Sequence, residues 1–287
     1  MGPVAVRQLK AADLPFAFRL NLAERWNDQF SDVERMFQFE PDGGFIAEAE
    51  GRPVGHVFSI SYGGLGWIGL LIVEPKYRRR GIGTLLAVRV KDYLLSRGVQ
   101  TIKLESVAEI ADLYRQIGFV DEYDSLRLKR TAERLPPKGG NAVRSITKGD
   151  LSELVVFDAK YFGADRRRVL GKLYEASPQL CFIAHTGTNV AGYVMCRKAH
   201  IGYNLGPLAC IPQHPETASD LVRKCVGRLN SGAEIFVGVP AVNRAATQMW
   251  NELGFSEYSR SIRMRLGKDL EHECVDGIFA IAGPMKG

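Results

Sequence analysis

Val73-Glu74-Pro75-Lys76-Tyr77-Arg78-Arg79-Arg80-Gly81-Ile82-Gly83-Thr84 joins two segments of different period. Ahead of it, Gly66 to Val73 is a near-continuous apolar run, the pattern of a strand covered on both faces. Behind it, Ile82, Leu85, Leu86, Val90, Tyr93 and Leu94 recur three and four residues apart along one helical face, and Gly98 ends that helix. A strand that turns through three arginines and two glycines into a helix has a definite physical use. The first N–H groups of a helix lack partners within it and sit at the positive end of its dipole. With glycines that admit an anion close to the backbone, and arginines that add charge-assisted bonds, they make a cradle for phosphate. Arg78 to Arg80 away from this setting would read as a solvated charge run.

Outward from this stretch the spacing predicts further elements. Val4 to Gln8 reads as a strand, and Asp13 as the N-cap of a helix with Pro15 in its first turn, running to about Trp26. Gly44 to Glu50 and Val54 to Tyr62 read as a hairpin around Glu50-Gly51-Arg52-Pro53. Thr101 to Ser106 alternates polar and apolar residues, a strand parallel to Gly66–Val73 through a right-handed crossover. A helix through Ala111 to Ile117 and a closing strand through Ser125 to Lys129 follow.

The pattern then repeats. Val6-Arg7-x-Leu9 returns as Val143-Arg144-x-Ile146, and Phe45-Ile46-Ala47 as Phe182-Ile183-Ala184, 137 residues on. Gly55, Gly69 and Pro75 fall on Gly192, Gly206 and Pro212 in the same register. After one deletion Tyr114 falls on Trp250, Gly118-Phe119 on Gly254-Phe255 and Arg127 on Arg263, 136 residues on. A register this constant indicates duplication. Pro136-Pro137 and Gly139-Gly140 interrupt regular structure between the copies, giving expected domains at 1–134 and 143–287 with a linker at 135–142.

The stretch at Arg78, Gly81 and Gly83 resembles motif A of the GNAT acetyltransferases, Arg/Gln-x-x-Gly-x-Gly/Ala, and Leu113-Tyr114-x-x-x-Gly118-Phe119 is similar to the family's motif B. The resemblance covers both copies and implies an α/β (α+β) fold of two tandem GNAT-like domains. Each would be a mixed, mostly antiparallel sheet with a central parallel pair splayed around acetyl-CoA. It implies cofactor contacts from the backbone of Leu71, Ile72 and Val73 and from Arg78, Arg79, Arg80, Gly81, Ile82, Gly83 and Thr84. Tyr114 would protonate or hydrogen-bond the departing thiolate, and Glu105, at its strand's end, would serve as base, directly or through a water. Many family members place an asparagine on the cofactor seven residues before the tyrosine; Val107 stands there. The expected activity is acetyl transfer to a primary amine of a small molecule, peptide or protein by the first copy. The alternative is an acyl-CoA-binding sensor without turnover. The acceptor would lie near Trp26, Asn27, Asp28 and Glu40.

At the phosphate-loop register the second copy reads His214-Pro215-Glu216-Thr217-Ala218-Ser219-Asp220, with neither arginines nor glycines, so a retained fold and a lost cofactor site are expected. The surplus of charge, 38 basic against 32 acidic residues in 287, is small and partly local to Arg78–Arg80. No nucleic-acid motif accompanies it, and neither nucleic acid nor membrane is expected as a partner. The apolar runs are too short for a membrane span, and the N-terminal residues lack a secretory profile, so a cytoplasmic protein is expected. Five cysteines without a C-x-x-C pair and five scattered histidines predict no metal and no disulfide framework.

Overall fold

The computed structural model describes residues 3–133, 135–136, 143–269 and 273–287. Most of the expected linker therefore lies outside the described residues. The first copy comprises β1 (Val4–Gln8), α1 (Leu14–Ala23), α2 (Phe30–Phe39), β2 (Phe45–Ala49), β3 (Arg52–Tyr62), β4 (Leu65–Val73), α3 (Ile82–Ser96), β5 (Thr101–Ser106), α4 (Ala111–Gln116) and β6 (Val120–Thr131). The second repeats this order as β7 (Val143–Ser145), α5 (Leu151–Phe162), α6 (Arg167–Ala176), β8 (Cys181–Thr186), β9 (Asn189–Lys198), β10 (Tyr203–Cys210), α7 (Pro215–Val226), β11 (Glu234–Pro240), α8 (Arg244–Glu252) and β12 (Ser256–Gly267). A short β13 (Ile278–Ala280) follows.

These elements form two compact units that do not coincide with the two copies. Unit one is the chain through Glu122 with Ile262–Asp269 and Lys286; unit two is Tyr123–Ser261, the C-terminal segment through Met285, and Gly287. In unit one β1, β2, β3 and β4 run antiparallel, β4 and β5 are parallel, and β12 closes the sheet against β5 from Ile262↔Ser106 to Gly267↔Thr101. In unit two the sheet runs β7, β8, β9, β10, β11, and its last strand is β6, paired from Glu234↔Thr131 to Pro240↔Ser125. The strand read at Ser125–Lys129 exists, but it does not close its own copy. Each unit is completed by the final strand of the other copy. An alternating strand carries the same local pattern whichever edge it joins, so only tertiary pairing decides.

The apolar face of α3 supplies the core of unit one. Ile82, Leu86, Val90 and Leu94 pack on Val57, Ile68, Ile102 and Leu104 from the sheet and on Met264 of β12. In unit two Ala218, Leu221, Val222 and Cys225 of α7 occupy the corresponding place against Phe182, Val194 and Leu208. The retained helical period of the second copy is thus a retained core.

Candidate active site

Parallel pairing of β4 with β5 runs from Leu65↔Thr101 to Ile68↔Leu104 and stops. The cause lies on the other edge of β4. Its register against β3 shifts between His56 and Phe58, and Leu70 takes a φ of +53°. Such a bulge bends the strand that carries it. Leu71, Ile72 and Val73 therefore continue along β3, with His56↔Ile72 and Gly55↔Val73, while their other edge faces a gap that opens toward Glu105 and Ser106. Backbone amides on an unpaired edge are ready partners for an extended ligand carrying its own amides.

The arginine and glycine stretch sits at the wide end of the gap. Pro75–Tyr77 makes one 3-10 turn, Arg79 has φ +58°, and Gly81 with φ +77° is the N-cap of α3. No side chain caps that helix, and its first internal bond is Leu85 N–H to Gly81 O. The N–H groups of Ile82, Gly83 and Thr84 thus lead the helix with no intrahelical acceptor. An added Cβ at Gly83 would stand 3.1 Å from Leu113, so the glycine lets α3 and the start of motif B meet. Arg79 and Arg80 are exposed, and Arg80 and Lys76 flank the Tyr77 ring at 5.7 and 5.0 Å. Arg78 is engaged differently: its Nε donates to the Val73 carbonyl at 2.8 Å and its Nη2 to Glu24. Its guanidinium braces the exit of β4.

Tyr114 is 4% exposed in α4 and meets Phe119 edge to face at 5.8 Å. Burial pushes its phenol well above the ordinary value, so it stays protonated, as a hydrogen-bond donor, throughout the physiological range. Among the described residues its hydroxyl has no hydrogen-bond partner.

Glu105 stands apart from these groups in character. Its side chain has no exposed surface, and Arg263 of β12 donates to its Oε1 from Nε at 2.8 Å, with Nη2 at 2.7 Å. That guanidinium lies 4.5 Å over the Trp67 ring. Beside it, buried Lys103 contacts Glu122 at 3.1 Å and Arg265 contacts Glu122 at 3.0 Å. The expected base is therefore a member of a buried charge layer, its carboxylate turned to an arginine. Of the expected acceptor residues, Glu40 accepts from Tyr93 at 2.6 Å and from Ser61 N–H at 3.1 Å, and Asp28 faces Asn21 at 3.5 Å. Trp26 and Asn27 are half-buried.

Two residues escaped the sequence reading. Arg263 appeared only as the repeat of Arg127. His56 is fully buried beside the bulge, with Phe16 and Phe58 edge-on at 6.3 and 5.6 Å. Neither of its ring nitrogens has a hydrogen bond among the described residues. Burial lowers it to about 3, although the backbone of Ala17 and Leu70 offsets part of that shift. A lone histidine in an apolar strand gives no pattern to mark it.

Among the described residues no group of three or more His, Cys, Asp or Glu side chains is arranged to hold a metal, and no helix is long and apolar enough to cross a membrane. All five cysteines are free.

Residues 6–119 match the model of the acetyltransferase (GNAT) family, and residues 154–279 match an acetyltransferase (GNAT) domain model. An acetyltransferase of Pectobacterium atrosepticum is 32% identical over 120 residues, 41% of this chain and 82% of that protein. A holothin acyltransferase of a Pseudoalteromonas strain is 24% identical over 253 residues, 88% of this chain and 84% of that one. A solved structure from Pyrococcus horikoshii, assigned as an acetyltransferase, superposes with a TM-score of 0.83 at 25% identity, covering 99% of this chain and 96% of that chain. With both copies matched and the splayed parallel pair in place, the chain belongs to the GNAT acetyltransferase family as a tandem-domain acyltransferase.

Proposed function

We propose that the first copy transfers the acetyl group of acetyl-CoA to a primary amine. The observation that carries this reading is the gap beside Leu71–Val73 leading to the uncapped start of α3. Its residues fit the coenzyme. Amides on the unpaired edge of β4 suit a pantetheine arm, and the N–H groups of Ile82, Gly83 and Thr84, with Arg79 and Arg80, suit a pyrophosphate. When bound, acetyl-CoA supplies a thioester for attack by the amine. The β4 backbone near Val73 would polarise the thioester carbonyl, and Tyr114 would donate a hydrogen bond to coenzyme A as it leaves as a thiolate, whose ordinary pKa is about 8.5, while the proton shed by the amine passes to solvent.

The sealed state of Glu105 bears on the acceptor. Deprotonating a lysine at pH 7 costs about 4.6 kcal/mol, whereas an α-amine costs only about 1–1.4 kcal/mol. With Glu105 held against Arg263, the best acceptor is an amine largely neutral near pH 7. Glu105 then acts as a positioning residue for β5 rather than as a base. The name of the holothin acyltransferase supports transfer over sensing. The test is acetyl-CoA titration followed by thiol release with amines graded in pKa. The reading expects release that rises as amine pKa falls. Tight binding without release for any amine favours the sensor, and release fastest with lysine peptides removes the preference for neutral amines.

A further inference from the structure

In the second copy the gap is filled. β10 and β11 pair only at Tyr203↔Ile235 and Asn204↔Phe236 before diverging, as their counterparts do in the first copy. β13 lies in the divergence. It runs antiparallel to β10 with Leu208↔Ala280 and Ala209↔Ile278, and on its other side Ile281 N–H donates to the Gly238 carbonyl of β11 at 2.9 Å. Gly206 has φ +143°, and a Cβ there would stand 2.1 Å from the Ile281 oxygen, so that position admits only glycine. Phe279, Ala280, Ile281 and Ala282 are each at most 3% exposed.

The residues at motif B positions hold this segment by its backbone. Trp250, the counterpart of Tyr114, donates from Nε1 to the Phe279 carbonyl at 2.8 Å. Asn243, the counterpart of Val107, directs Nδ2 at the carbonyls of Asp276, Ile278 and Val275 at 2.9, 3.0 and 3.2 Å. Its Oδ1 accepts from Ala246 N–H at 2.9 Å and caps α8, which fixes the amide orientation. Where the first copy carries arginines and glycines, α7 opens with Pro215 and Glu216, and His214 faces Glu216 at 3.1 Å. Peptide groups are recognised along the strand, and residues 211–220, at the register of the first copy's arginines, hold neither arginine nor lysine.

We propose that the second copy's gap is a peptide-binding site whose ligand is the chain's own C-terminal segment, Val275 to Ala282, an extended apolar strand. Asn243 and Trp250 are its backbone-reading residues. The segment enters as strand addition does, with main-chain bonds on both edges and side-chain burial on both faces. The assignment stands on these contacts within unit two and is independent of what the first copy binds.

A specific protease site placed at residues 270–272 of the full chain, then cut, makes the segment a separable ligand. The expected result is that it stays bound through gel filtration at micromolar protein. After removal in mild urea, a fluorescein-labelled synthetic peptide spanning Glu273–Gly287 should rebind at one per chain. Asn243→Ala and Trp250→Phe should each weaken rebinding at least tenfold. Loss of the cut segment on the column, or rebinding indifferent to both substitutions, overturns the proposal. If removal of the segment unfolds the protein, hydrogen exchange on the uncut chain decides. Amides of 278–281 should be protected, and Asn243→Ala should speed their exchange at least tenfold more than that of β8 and β9. Unprotected amides, or uniform acceleration, refute the site.

Discussion

Replacing His56 with leucine should remove a defined part of the acid sensitivity of unit one. In the unfolded chain the imidazole titrates near its ordinary 6.5, whereas burial between Phe16, Phe58 and the β4 bulge lowers it to about 3. A base with a depressed folded-state value is neutral in the native protein while the unfolded chain takes up a proton, so stability is full above pH 6.5 and falls as pH drops toward 3. At pH 7 this linkage costs ~0.2 kcal/mol, and at pH 5 about 2 kcal/mol. A native value anywhere from 2 to 4 leaves the pH 5 figure nearly unchanged, because His56 stays neutral there throughout. Urea denaturation at the two pH values, monitored in unit one, gives the loss for each protein; the loss in His56→Leu should be smaller by about 2 kcal/mol. Packing lost with the ring shifts both of the variant's values equally and cancels. An equal loss in the two proteins, within roughly 0.5 kcal/mol, would show that the imidazole is solvated or charged and refute its placement.

Arg263→Ala should destabilise unit one by about 3–5 kcal/mol in denaturant titrations, since it strips the guanidinium from a buried carboxylate, while Glu105→Gln with Arg263→Met should recover much of that loss. A cost for the single change below ~1 kcal/mol, the range of exposed pairs, would contradict the buried geometry. Tyr114→Phe should lower turnover while leaving the acetyl-CoA dissociation constant nearly unchanged; unchanged turnover removes the phenol from the reaction. Gly81→Ala meets open space but must hold φ near +77°, so a backbone cost of roughly 1–2 kcal/mol should appear as about five- to thirty-fold weaker coenzyme binding. Phe279→Ala should lower the stability of unit two by about 3–5 kcal/mol, read from the same titrations.

Local periodicity carried most of the element list. β1 and β5 fall at the expected residues, and α3 starts one residue after the glycine that caps it. The turn from β4 into α3 was legible because its geometry rests on backbone N–H groups and glycines, which depend on neighbours in sequence. The burial of Glu105 was hidden for the opposite reason. The alternation of Thr101, Lys103 and Glu105 announces a polar face, and a polar face defaults to solvent. It is buried because β12, from the other copy, lays Arg263 and Arg265 against it, and nothing near residue 105 encodes that partner. The absence of an arginine and glycine stretch from the second copy was plain from Glu216 and Asp220. The filling of its gap was not, because Ile278–Ala280 lies beyond the repeated register and looks like any short apolar tail. Asn243 held the clue, a donor kept at a position where the first copy has valine.

The exchange of final strands sets a timetable for synthesis. A ribosome that has just released Ser106 must add roughly 150 more residues before the partner of β5 emerges, which at about 5–20 residues per second takes roughly 8–30 s. For that interval a strand bearing Lys103 and Glu105 has an open edge. Charge on such an edge deters pairing with stray chains, so the residues that later form the buried ion pairs also guard the nascent sheet. Isolating the first copy would make that exposure permanent, and its natural remedy would be a strand borrowed from another molecule.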